Sequence, residues 1–296
     1  MPEYRVKIVD AFTRERFAGN PCGVVTDAGG LSDAAMQQIA REINLSETAF
    51  VLPSSAADFQ VRFFTPRLEI PLAGHPTIAT MHALAEEGRI RVSPDGTRIR
   101  QELSIGILPV DLAYTPDRLV RIAMTQASPQ FFGELDRDAV ARALGIRADD
   151  LLSSPNPQVV STGTRQAMVP VKSIGVLEKL LPDPVLLARL EQAGEYFSMH
   201  VFALDAYDSM NRVHSRHFAA SAGIPEDPVT GSATGGMAAY LWRYGLLREP
   251  RYTVEQGHIM GRPGHVEVEV EADGDTPTVV RIAGTAVTVI EGTITV

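Results

Sequence analysis

Gly74-His75-Pro76-Thr77-Ile78-Ala79-Thr80 runs on through Met81, Ala83 and Leu84 to Gly88. The same plan returns in Gly231-Ser232-Ala233-Thr234-Gly235-Gly236, which continues through Met237, Ala238, Tyr240 and Leu241 to Gly245. Each copy opens on glycine and small residues and meets a closing glycine fourteen positions later. About fourteen residues at 1.5 Å each make a helix of roughly 20 Å, stopped by glycine in its usual C-terminal role. Both are apolar around most of their circumference, which predicts helices enclosed by a core instead of helices lying on a surface.

The repeat reaches upstream of the helices. Arg62-Phe63-Phe64 precedes the first, and Arg216-His217-Phe218 precedes the second, each followed by a loop that carries acid, Glu69 in one and Glu226-Asp227 in the other. A looser match lays Glu47-Thr48-Ala49-Phe50-Val51 against Arg165-Gln166-Ala167-Met168-Val169. The expected fold is therefore α+β, with two pseudo-symmetric domains, each a barrel-like sheet around one central helix. The first domain is placed at residues 1–116 with its helix at 75–87, and the second at 117–296 with its helix at 232–244. Pro116 and Asp117 mark the expected linker. The final strand is the one candidate for a return to the first domain.

Both helix starts are small and rich in glycine, so their first N–H groups are open to a ligand. Those unpaired donors carry about half a positive charge and favour an anion. Two such ends facing one another would hold a carboxylate; the plainer reading is that the glycines relieve crowding where helix meets strand.

Composition narrows the function classes. The chain has 296 residues, 45% apolar and 21% charged, enough for a large core and unlike a disordered protein. A net charge of −9 argues against nucleic acid or an anionic membrane as general partners. A single cysteine leaves no internal disulfide framework, and no apolar run approaches membrane-spanning length, so a cytoplasmic location is expected.

Glu47 stands alone at the mouth of an apolar strand, where partial burial would suit a proton carrier; a turn glutamate capping a backbone N–H is the alternative. His75 sits in the first turn of the first central helix, where the dipole disfavours its charged form. Cys22 has apolar neighbours and reads as a buried, inert thiol. Gly231-Ser232-Ala233-Thr234-Gly235 lacks the glycine that a nucleophile elbow needs before its serine, and it lacks the dinucleotide glycine pattern. His214 and His217 with Asp227 are conceivable metal ligands. Histidines three apart on a strand face opposite ways, so no metal is expected from them.

Five motifs in order carry a resemblance: Phe17-x-Gly-Asn-Pro21, Asn44-Leu-Ser-Glu-Thr-Ala-Phe50, Phe64-Thr-Pro66 with Gly74-His75, Glu226-Asp-Pro-x-Thr-Gly-Ser-Ala233, and Gln256-Gly-x-x-x-Gly-Arg-Pro263. Together they resemble the PhzF-like phenazine-biosynthesis family, of the diaminopimelate-epimerase-like fold. That resemblance implies two similar barrels with the active site between them, and a homodimeric isomerase of trans-2,3-dihydro-3-hydroxyanthranilate that uses no cofactor. Carried over by position, it makes Glu47 the general acid/base and gives His75 and Asp227 supporting acid–base roles. Ser232 and the backbone at Gly74 and Gly231 would hold the substrate, and Asn20 would bind it as well. The related two-thiol racemases keep a cysteine at each central helix start, a position that this chain's one cysteine does not occupy.

The expected chemistry is movement of a proton within a small carboxylate-bearing substrate. An epimerase acting on an amino-acid-like substrate and a non-catalytic ligand-binding protein on the same fold are the two alternatives.

Overall fold

The computed structural model describes residues 1–296. The chain divides into two compact units, Met1–Met124 with Ala283–Val296, and Thr125–Ile282. No helix is long and apolar enough to cross a membrane.

The first unit contains β1 (Glu3–Ala11), β2 (Asn20–Val25), α1 (Asp33–Ile43), β3 (Thr48–Leu52), β4 (Phe59–Phe64) and the short β5 (Glu69–Ile70). Then come α2 (Gly74–Glu86), β6 (Thr97–Leu103), β7 (Gly106–Tyr114) and β8 (Val120–Thr125), which ends at the unit border. β1 and β2 are antiparallel, β2 and β3 parallel, β3 and β4 antiparallel, β4 and β6 parallel, and β6 and β7 antiparallel. β5 adds to β4 where Phe63 faces Ile70. Ser32 caps α1 by accepting from the Ala35 N–H, as its position before an apolar-periodic run predicts.

α2 packs against β1, β2 and β3. Every residue from His75 to Leu84 is buried except His82. Burying Ile78, Met81 and Leu84 completely contributes about 1.5–3 kcal/mol for each side chain. Thr77 and Thr80 are buried too, and each satisfies its hydroxyl by donating to the carbonyl four residues back, Ala73 at 2.8 Å and Pro76 at 2.7 Å. Gly88 takes φ +71° just past the helix end, a left-handed turn that glycine enters without cost.

The second unit contains β9 (Gln130–Glu134), α3 (Arg137–Leu144), β10 (Gln158–Ser161), β11 (Arg165–Pro170), α4 (Ile174–Leu177), α5 (Pro184–Ala193), β12 (Ser198–Ala203) and β13 (Val213–Ala219). β14 (Ile224–Asp227), α6 (Gly231–Arg243), β15 (Arg251–Gln256), β16 (Gly264–Asp273) and β17 (Thr276–Gly284) follow. β10 and β11 are antiparallel, β11 and β12 parallel, β12 and β13 antiparallel, β13 and β15 parallel, and β15 and β16 antiparallel. β14 adds to β13, where His217 faces Asp227. α6 packs on β10, β11, β12 and β16 and buries most of its length, including Met237, Tyr240 and Leu241.

β18 (Ala286–Thr295) pairs antiparallel with β1 along nearly its whole length and so belongs to the first unit.

Three expectations need correction. The Pro116–Asp117 turn is no linker: β7 and β8 form an antiparallel hairpin around it, closed by the Thr115 N–H donating to the Leu119 carbonyl at 2.8 Å. The division falls after Met124 instead, with a second crossing before Ala283. The two buried helices begin at Gly74 and Gly231, one residue before the expected starts, because those glycines already take helical geometry. The loop expected to carry Glu226-Asp227 contains β14, held to β13 by pairing that a Pro-Glu-Asp sequence does not advertise.

Candidate active site

In the first unit, Glu47 immediately precedes β3, and its backbone carbonyl accepts from the Gly23 N–H at 3.4 Å. Its side chain is 14% exposed, and Glu47 Oε2 lies 3.3 Å from Nε2 of His75, the second residue of α2. Asn20, fully buried at the start of β2, places its amide nitrogen 3.1 Å from His75 Nδ1. An amide nitrogen only donates, so Nδ1 accepts and the ring proton resides on Nε2, the nitrogen facing Glu47. The alignment at Nε2 falls short of a formed hydrogen bond.

Burial holds the His75 pKa down at about 3. The pair is therefore a carboxyl group beside a neutral N–H donor and not a salt bridge at neutral pH. Cys22, on β2, is fully buried. Burial first, and the Glu47 charge second, raise its thiol pKa well above the usual value. A thiol kept protonated is a poor nucleophile. Thus Asn20, Glu47, His75 and the α2 start at Gly74 form one group.

In the second unit, Asp227 ends β14 and is 8% exposed. The Thr230 hydroxyl donates to Asp227 Oδ2 at 2.5 Å. Gln256, at the end of β15 and almost fully buried, clamps the turn: its amide donates to the Asp227 carbonyl at 2.7 Å, and its carbonyl accepts from the Thr230 N–H at 3.1 Å. Gly257 follows with φ +88°, and a Cβ there would stand 2.2 Å from the Arg262 carbonyl and 2.8 Å from that of Pro228. Glycine is required under this turn.

Gly231 and Ser232 open α6, whose Thr230 N-cap makes no capping bond because its hydroxyl is committed to Asp227. Ala73, before α2, has no capping bond either. Gln166 donates to Ser232 Oγ at 3.4 Å, which orients that hydroxyl without activating it. Asp227, Gly231 and Ser232 form the second group.

Buried imidazoles stand behind this turn. His217, opposite Asp227 in the strand register, has its Nδ1 3.2 Å from Nδ1 of His200. Burial depresses His217 to about 3 and, together with the neighbouring His217, takes His200 well below its ordinary value. His214 faces away from this pair and contacts Glu255 at 2.9 Å, so the grouping of His214, His217 and Asp227 does not form. The sequence reading assigned no role to Gln256 or Gln166. Gln256 lies within the Gln256–Pro263 motif, but only the folded chain shows what it grips.

Relatives of the chain carry the name isomerase. An uncharacterized isomerase of Clostridium acetobutylicum is 41% identical, covering 97% of this chain and 96% of that one. A trans-2,3-dihydro-3-hydroxyanthranilate isomerase of Pseudomonas chlororaphis is 35% identical over 97% and 98% of the two chains. The crystal structure of the Bacillus anthracis phenazine biosynthesis protein of the PhzF family superposes with a TM-score of 0.92 at 36% identity, covering the whole of both chains. The chain is thus an isomerase. The model of the family described as phenazine biosynthesis-like protein matches residues 9–292, and the chain belongs to that family.

Proposed function

We propose that the protein shifts a proton within a small carboxylate-bearing substrate, without a cofactor, using Glu47 as proton carrier. The observation that carries this reading is the 3.3 Å approach of a largely buried carboxyl group to an imidazole that burial keeps neutral. A charged neighbour would pin Glu47 as an anion; a neutral N–H stabilises the anion while still letting it take up and return a proton. Asn20 fixes the tautomer. In this reading Asp227, aligned by Thr230 and Gln256, is a further acid–base group, Ser232 binds substrate, and the starts of α2 and α6, neither capped by a side chain, each favour a carboxylate.

The proposal includes descent of the two units from one duplicated barrel with a central helix. The same order of antiparallel and parallel pairings around α2 and around α6 supports it. So does a repeated ion pair. Arg62 forks Glu69 at 2.8 and 2.6 Å and lies 5.2 Å from the Phe64 ring centroid, while Arg216 forks Glu226 at 2.8 Å twice and lies 5.2 Å from that of Phe218.

The test is conversion of trans-2,3-dihydro-3-hydroxyanthranilate, the substrate in the Pseudomonas chlororaphis relative's name, followed by absorbance. Conversion by the wild type supports the substrate class. Absence of conversion, together with no exchange of a carbon-bound proton in any small carboxylate tried, contradicts the proposal.

A further inference from the structure

A second cluster of ionisable groups lies in the second unit, on β13, β15, β16 and the turn after β15. Strand register places His214 of β13 opposite Glu255 of β15, and Glu255 opposite His265 of β16. His258 is added from the turn after β15, between Gly257 and Gly261, both of which have positive φ. One ring nitrogen from each of His214 and His258 and one Glu255 oxygen lie within 4.8 Å of one another.

Glu255 is fully buried and accepts four bonds: the Tyr207 N–H at 2.5 Å, the Asn211 amide at 2.7 Å, the His214 ring at 2.9 Å and the Asp208 N–H at 3.2 Å. With both oxygens already accepting from N–H groups, the carboxyl group is the acceptor toward His214 as well, and Nδ1 of His214 is the donor. The proton is then on Nδ1, leaving a lone pair on Nε2. That nitrogen is buried and makes no hydrogen bond, and neither does Nδ1 of His258. A carboxylate behind one imidazole nitrogen, with the other left as a bare acceptor, is the arrangement that orients metal-binding histidines.

The ring geometry fits the same ligand. An imidazole nitrogen binds zinc at about 2.0–2.1 Å, which puts the ring centroid about 3.2 Å from the ion, and two such rings at a tetrahedral angle stand about 5.2 Å apart. The His214 and His258 centroids are 5.2 Å apart with the rings inclined at 62°. We propose that His214 and His258 bind one divalent transition-metal ion of the zinc type, with Glu255 fixing the His214 ring and supplying the neighbouring negative charge. Two of these three residues are rigid members of paired strands, and the third sits on a glycine-flanked turn that adjusts to the ion. The remaining coordination positions are left to water, with His265 at the rim, its ring centroid 6.4 Å from that of His258. The test does not depend on turnover.

The experiment is a calorimetric titration of the chelator-stripped full chain with Zn²⁺, repeated with His258→Ala and His258→Gln. Both changes fall on a partly exposed turn, so circular dichroism should stay unchanged. The expected result is one saturable equivalent per chain in the wild type, weakened at least tenfold in both variants, with a Zn²⁺-dependent rise in melting temperature seen only in the wild type. Absence of a one-to-one site, or undiminished binding by the two variants, would overturn the assignment.

Discussion

His75 presents Nε2 to Glu47 Oε2 at 3.3 Å while Asn20 occupies its Nδ1 at 3.1 Å. Three residues from β2, the mouth of β3 and the start of α2 thus specify one tautomer of one neutral ring. The imidazole turns an N–H toward the carboxyl group but carries no charge.

The first consequence concerns pH. With a pKa of about 3, His75 does not change charge between pH 5 and 9. His75→Gln should lower kcat by about 10²–10³-fold, the loss of one positioned donor, while any limb of the pH–rate profile in that range stays where it was. A limb that disappears with His75 would show that the ring titrates during turnover.

Acid stability should follow the same residues. His75 and His217 are depressed by burial to about 3, against about 6.5 for an unfolded histidine. Below pH 6.5 the unfolded chain takes up protons that the folded chain refuses, so stability is full above that pH and falls as pH drops toward 3. Each residue contributes a slope of about 1.4 kcal/mol per pH unit in that window. Urea unfolding at pH 7, 6 and 5 should show the decline, and His217→Asn should make it shallower.

Gln256 should matter more than its distance in sequence from Asp227 suggests. It is nearly fully buried and satisfies the Asp227 carbonyl and the Thr230 N–H at once. Gln256→Ala leaves two buried backbone groups without a partner, at about 1–3 kcal/mol each, and frees the turn that aligns Asp227. Chemical denaturation should register the loss, and kcat should fall more than KM rises.

The two arginine forks should differ in strength. Arg216 and Glu226 have side chains 9% and 18% exposed, and Arg216 also donates to the Leu177 and Leu180 carbonyls. Arg62 and Glu69 are 22% and 37% exposed. Arg216→Met should cost about 3–5 kcal/mol by stranding buried partners, whereas Arg62→Met should cost about 1 kcal/mol. Equal losses in urea melts would contradict the burial argument.

Much of this architecture is written locally. The two buried helices are legible because they are apolar all round and end in glycine, and the arginine forks show as Arg-x-Phe followed by acid. Glu47 is legible as a lone acid against an apolar strand. What joins these pieces is nonlocal. Asn20 reaches His75 across 55 positions, and Gln256 reaches the Asp227 carbonyl across 29, distances that no periodicity records. The looser internal match also misleads. Glu47–Val51 runs into β3, whose counterpart in the order of pairings is β12, while Arg165–Val169 lies in β11, the counterpart of β2. Short apolar strands resemble one another too closely for sequence to choose.

The most direct test of Glu47 as proton carrier compares wild type with Glu47→Gln on trans-2,3-dihydro-3-hydroxyanthranilate, measuring turnover by absorbance and binding by calorimetry. The amide keeps the size and removes the titration. The predicted result is a fall in kcat of at least about 10²–10⁴-fold, the range of general acid–base catalysis, with affinity held within a few-fold. Turnover by Glu47→Gln within tenfold of wild type would contradict the assignment.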